Sequence, residues 1–66
     1  MQEAIEQYKQ ALRFKPDDAE THYNLGIALE KAGRVQEARD YYEQALRLKP
    51  DFIEAQNRLA QLRTAQ

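Results

Sequence analysis

The chain has 66 residues, enough for one small domain that buries only about 60% of its unfolded surface. Ten Lys and Arg stand against eleven Asp and Glu, a formal net charge of −1, so no basic footprint for nucleic acid or an anionic membrane is expected. There is no Cys for a disulfide, a thiolate nucleophile or a Cys-bearing zinc site, and no apolar run approaches the roughly 18 residues of a membrane span.

Residues 2–15 carry Ala4, Ile5, Tyr8, Ala11, Leu12 and Phe14 at close to a 3.6-residue period, which predicts a first helix. Arg13 and Lys15 fall in its last turn, where the helix dipole favours cations. Pro16 ends it by removing a donor and crowding the turn before it. Asp17 or Asp18 then caps a second helix over about 18–32, with Glu20 three residues after Asp17 in the spacing of a capping box. Its stripe is His22, Leu25, Gly26, Leu29 and Ala32, and Gly33 supplies a left-handed stop. A third helix over about 35–49 carries Val35, Ala38, Tyr41, Tyr42, Ala45, Leu46 and Leu48. Pro50 and Asp51 repeat the punctuation, with Glu54 three residues after Asp51. A fourth helix over about 52–64 carries Phe52, Ala55, Leu59, Ala60 and Leu62. Nothing alternates at period two, so no strand is expected. The very short loops fold neighbouring helices into antiparallel hairpins.

The elements repeat. Shifting the chain by 34 residues against itself gives 13 identities in 32 pairs, 11 of them within the first 17. Chance gives about two at roughly one match in 15. A 34-residue helix–turn–helix period resembles the tetratricopeptide repeat (TPR) family. The family pattern is present as His22-x-x-Leu25-Gly26-x-x-Leu29, then Ala38-x-x-x-Tyr42, then Ala45 and Pro50. An earlier half-unit reads Ala4-x-x-x-Tyr8, Ala11 and Pro16, and a later one keeps Leu59 with Ala60 where Gly is usual. His22 stands in place of the large opening aromatic. The resemblance implies an all-α, antiparallel helix-hairpin solenoid with helices in the order B–A–B–A. Residues 1–16 would be the second helix of one repeat, 17–50 a complete repeat, and 51–66 the first helix of a next repeat or a capping helix. Gly26, Ala38 and Ala45 would sit at close helix approaches, Tyr8 and Tyr42 in a core slot, and Phe14 and Leu48 at contacts between adjacent units.

Little in the chain suggests chemistry. His22 with Asp18 supplies two metal ligands where three or four are needed, and His22 is expected to pack at a hairpin seam. No nucleophile has a base and an orienting group at telling spacing, and Gly26 and Gly33 stand singly rather than in a phosphate loop. Hence no catalytic residue, no metal and no cofactor is expected. Glu20, Tyr23, Asn24, Ile27, Glu30 and Lys31 form a face of their own on the second helix, apart from its core stripe. In the family the A helices line a concave groove for partner peptides. By resemblance Glu20, Tyr23, Asn24, Ile27, Glu30, Asn57, Arg58 and Gln61 would bind a peptide or protein segment. Asn24 and Arg58 match two positions of the carboxylate clamp found in some members, but Glu54 replaces a lysine there and would repel an anion.

The leading expectation is therefore a non-catalytic protein–protein interaction or scaffold module, cytoplasmic because Met1-Gln2-Glu3-Ala4-Ile5-Glu6 lacks the layout of a signal peptide. The competing readings are a self-associating or engineered repeat fragment and an accessory arm of a larger enzyme. Self-association is expected as a homodimer through Ala4, Tyr8 and Ala11, a face built for a hairpin partner. The fourth helix shows a polar face of Gln56, Asn57, Arg58, Gln61, Arg63 and Gln66 and reads as a solvating cap.

Overall fold

The computed structural model describes residues 2–64. They form four helices, α1 Gln2–Phe14, α2 Ala19–Lys31, α3 Val35–Leu48 and α4 Ile53–Thr64. Each lies within two residues of its predicted span, and no strand occurs among the described residues. The Cα atoms fill a slab of 33 × 26 × 14 Å. That thickness holds little more than one helix on another, so the core is a seam rather than a ball.

The stops are local chemistry. Pro16 and Pro50 follow α1 and α3 by two residues, and the last backbone bonds before them, Lys15 N–H to Ala11 O and Lys49 N–H to Ala45 O, are equivalent at 2.9 and 2.8 Å. Gly33 has φ +81°, and Gly33 and Arg34 donate to Glu30 and Leu29 at 3.0 and 2.8 Å. This is the paired closure of a helix C-terminus that turns through a left-handed residue. The α2 start takes one of its two expected registers but without the expected capping box. Asp18, not Asp17, takes the cap position, which puts Thr21 and not Glu20 three residues on. The Asp18 carboxylate accepts the Thr21 hydroxyl at 2.8 Å, and no reciprocal box with Glu20 forms.

The core runs along α2. Leu25, Leu29, Ala38, Tyr42 and Ile5 are fully buried in one cluster, joined by Ala28 and Leu62. Ala45, Phe52 and Ala55 make a smaller one between α3 and α4. Ala38 and Ala45 are close-packed as expected. Gly26 explains the approach of α2 to α3: a Cβ there would lie 2.5 Å from Tyr42 Cε1. Tyr8, expected to fill the same slot as Tyr42, is only half-buried, because α3 packs between α2 and α4 whereas α1 packs on α2. Phe14 contradicts its expected role between units. It is 91% exposed, and Leu48 is 42% exposed. At about 100° per residue Phe14 points half a turn away from Ile5, which faces α2.

His22 packs at the hairpin seam. Its ring stacks on Tyr41 at 5.9 Å, and its Nε2 donates to the Pro16 carbonyl at 2.8 Å. A carbonyl only accepts, so Nε2 is the donor of this bond. Gln56, one period later, donates from Nε2 to the Pro50 carbonyl at the same 2.8 Å. The repeat thus preserves a latch from the A helix to the preceding proline turn where identity is lost.

Candidate binding face

The predicted concave face lies on α2 and α4, and its middle is a side-chain network. Tyr42 reaches from α3 and donates its hydroxyl to Glu30 Oε1 at 2.8 Å. Glu30 Oε2 stands 3.7 Å from the Arg58 guanidinium on α4. Burial, then the hydrogen bond and charge of Glu30, raise the Tyr42 phenol well above its ordinary value. Arg58 is raised as well, first by hydrogen bonding to Tyr23 and then by the charge of Glu30. Three helices are therefore tied at one point by a phenol, a carboxylate and a guanidinium. Glu30 and Arg58 keep 25% and 39% of their side-chain surface, so the network is open to solvent on one side.

Tyr23 is less free than its off-stripe position suggests. Its ring lies 5.8 Å from Tyr42 and 5.0 Å from Phe52, bridging the two core clusters. Ile27 is likewise half-buried against the core. Glu20 and Asn24 are exposed on α2, and Asn57 and Gln61 on α4.

Two hollows open on this face. The first, about 170 Å³, is lined by Ile27, Glu30, Lys31 and Arg58. The second, about 210 Å³, is lined by Glu20, Tyr23, Asn24, Phe52 and Glu54. Six of the eight expected peptide-binding residues line one or the other, while Asn57 and Gln61 line neither. Sequence reasoning missed Phe52 as a wall, because its place in the helix stripe reads as core and it is 6% exposed. It also missed Tyr42 as the donor that orients Glu30. The 12-residue separation of that pair crosses a turn and leaves no mark in helical periodicity.

The expected self-association residues lie apart from this face. Ala4 and Tyr8 are half-buried on α1, and Ala11 is exposed. Among the described residues no group of three His, Cys, Asp or Glu could hold a metal ion, and no helix is long and apolar enough to cross a membrane. Gln66, expected on the polar face of α4, lies outside the described residues.

Comparison with known proteins gives two family matches, a TPR repeat over residues 1–33 and a tetratricopeptide repeat over residues 19–52. No curated protein matches the chain. Repeats of this kind generally mediate protein–protein interaction or scaffolding and are typically non-catalytic. Two overlapping matches, each spanning at least half of the sequence, place the chain in the tetratricopeptide repeat family.

Proposed function

We propose that this chain is a non-catalytic module, working in the cytoplasm, that holds an extended protein segment along the α2–α4 face. The observation that carries this reading is the pair of hollows on one face, each combining a partly buried apolar wall with charged side chains at its edge. Tyr23 and Ile27 supply rigid walls, since packing has already fixed them and little side-chain entropy remains to be lost on binding. Glu20, Asn24, Asn57 and Gln61 supply polar groups for a peptide backbone or side chain. The test is titration of isotope-labelled chain with a panel of extended peptides. Amide shifts should concentrate on Glu20, Tyr23, Asn24, Ile27, Glu30 and Arg58. Shifts confined to the outer faces of α1 and α3 would refute the reading.

A second reading is supported by the exposed Ala11 and by Phe14 at 91% exposure. It is self-association through α1 as a homodimer, with Ala4, Tyr8 and Ala11 at the contact. The equivalent residues Ala38, Tyr42 and Ala45 are all fully buried against neighbouring helices, which supports packing of a helix on the same positions of α1. Sedimentation at high micromolar concentration checks it: a single species of 7.8 kDa removes the dimer and leaves the binding module standing.

A further inference from the structure

The two hollows differ in charge. The second is lined by Glu20 and Glu54, equivalent positions on successive A helices, and by the Tyr23 and Phe52 rings, 5.0 Å apart. Lys49 places its ammonium over the Phe52 ring at 5.1 Å, which leaves one negative charge in excess around the hollow. The first hollow has Lys31 and Arg58 against the single carboxylate of Glu30, which leaves one positive charge in excess. Glu30 already pairs with Tyr42 and with Arg58, so Lys31 carries the excess charge of this hollow. Arg58 has five N–H donors and spends only part of them on Tyr23 and Glu30. Among the described residues, ion pairs join Arg34 to Glu37 and Arg58 to Glu30.

The spacing is set by α2. Ile27, Glu30 and Lys31 each stand seven positions after Glu20, Tyr23 and Asn24. Seven residues of helix advance about 10 Å. A peptide in the polyproline II conformation covers that in about three residues at roughly 3.1 Å each, and its three-residue turn brings the third side chain back to the same face.

Building on the reading of this face as a peptide groove, we infer that its partner is a bipolar extended segment. The segment places a Lys or Arg side chain in the Glu20–Glu54 hollow and, about three residues away, an Asp or Glu side chain against Lys31 and Arg58. The aromatic walls cover the aliphatic stem of the cation, while Glu20 and Glu54 attract its charge. Arg58 suits the carboxylate because its guanidinium is held in place by Tyr23 and Glu30 before the ligand arrives.

The probes are fluorescein-labelled eight-residue peptides with Lys and Glu three positions apart, in both orders, and the same peptides with Lys, Glu or both replaced by Ala. Anisotropy at low salt gives affinity, and amide shifts give the site. At least one order should bind on the α2–α4 face. Each Ala replacement should weaken it about three-fold or more, and salt should erase the difference. Glu20→Gln with Glu54→Gln should remove the preference for Lys and leave the preference for Glu. Lys31→Gln should do the reverse. All of these residues are exposed, so circular dichroism should match the parent. Equal binding by the charged and all-Ala peptides at the same face overturns the bipolar partner and leaves the groove intact. Shifts on another face, or no binding by any peptide, overturn both.

Discussion

Gly26 and Tyr42 show how one missing methyl sets a helix pair. In isolation, Gly26→Ala should favour the helix by about 1 kcal/mol. In this chain the added Cβ falls 2.5 Å from Tyr42 Cε1 and 2.7 Å from Cδ1, inside the packed seam of α2 and α3. Overpacking costs about 1–3 kcal/mol and wins, so thermal melts should show Gly26→Ala destabilised. Combining it with Tyr42→Leu should return part of the loss, which a helix-propensity effect would not do. The hydroxyl of the same tyrosine is a separate matter. Tyr42→Phe leaves Glu30 Oε1 without its donor and should cost about 1 kcal/mol in urea unfolding. The Tyr42 phenol is raised in the fold, so its contribution is complete below the unfolded value of about 10 and is lost as pH rises beyond it.

At the scale of elements, the helix starts carry the acid sensitivity. The Thr21 hydroxyl holds Asp18 below its ordinary value at the α2 cap. Arg34 holds Glu37 low at the start of α3 through a two-pronged contact, Nε to Oε1 at 2.9 Å and a terminal nitrogen to Oε2 at 2.7 Å. A carboxylate depressed in the fold lends stability above its unfolded pKa, about 4, and withdraws it as pH falls through the folded value. Melting temperature should therefore be flat from pH 7 to about 5 and fall below about 4. Asp18→Asn with Glu37→Gln should shallow that fall. Replacing Gly33 by Ala tests the α2 stop, since nothing lies within 4 Å of the added Cβ and only the backbone at φ +81° resists. The loss should be about 1–2 kcal/mol. These elements were legible in the sequence because Pro, Gly and charge position act locally. The Asp18–Thr21 pairing escaped it because two adjacent aspartates leave the cap register open by one residue. The exposure of Phe14 escaped it because a half-buried and an unpartnered B helix share one apolar pattern. The face on α2 was legible as a second stripe, but the bracing of Tyr23 and Glu30 by residues of α3 and α4 arises only when three helices meet.

At the scale of the molecule, the internal repeat shows which ways of joining two copies are open. Within one chain α2 meets α3 through Gly26 against Tyr42 and through the fully buried Leu29. The equivalent of α2 is α4 and the equivalent of α3 is α1, so a head-to-tail union would set α4 of one copy on α1 of the next. A union of that kind does not close and grows into open chains. Two side chains on α4 oppose it. Ala60 stands where Gly26 allows the tyrosine in, so its Cβ would crowd the Tyr8 ring of the second copy as a Cβ at Gly26, 2.5 Å from Tyr42 Cε1, would crowd Tyr42. Arg63 stands where Leu29 is buried, and an unpaired guanidinium in an apolar seam costs several kcal/mol. Association should therefore stop at a dimer through α1 and never extend through α4. Restoring the template with Ala60→Gly and Arg63→Leu should release this block. Sedimentation of the double variant should then show mass rising steadily with concentration, while the parent stays at two copies or fewer. Ala60→Gly alone keeps the arginine and should only weaken α4 by about 0.5–1 kcal/mol. If the double variant sediments as the parent does, α4 is not held back by these two residues, and the equivalence of α4 with α2 does not extend to their outer faces.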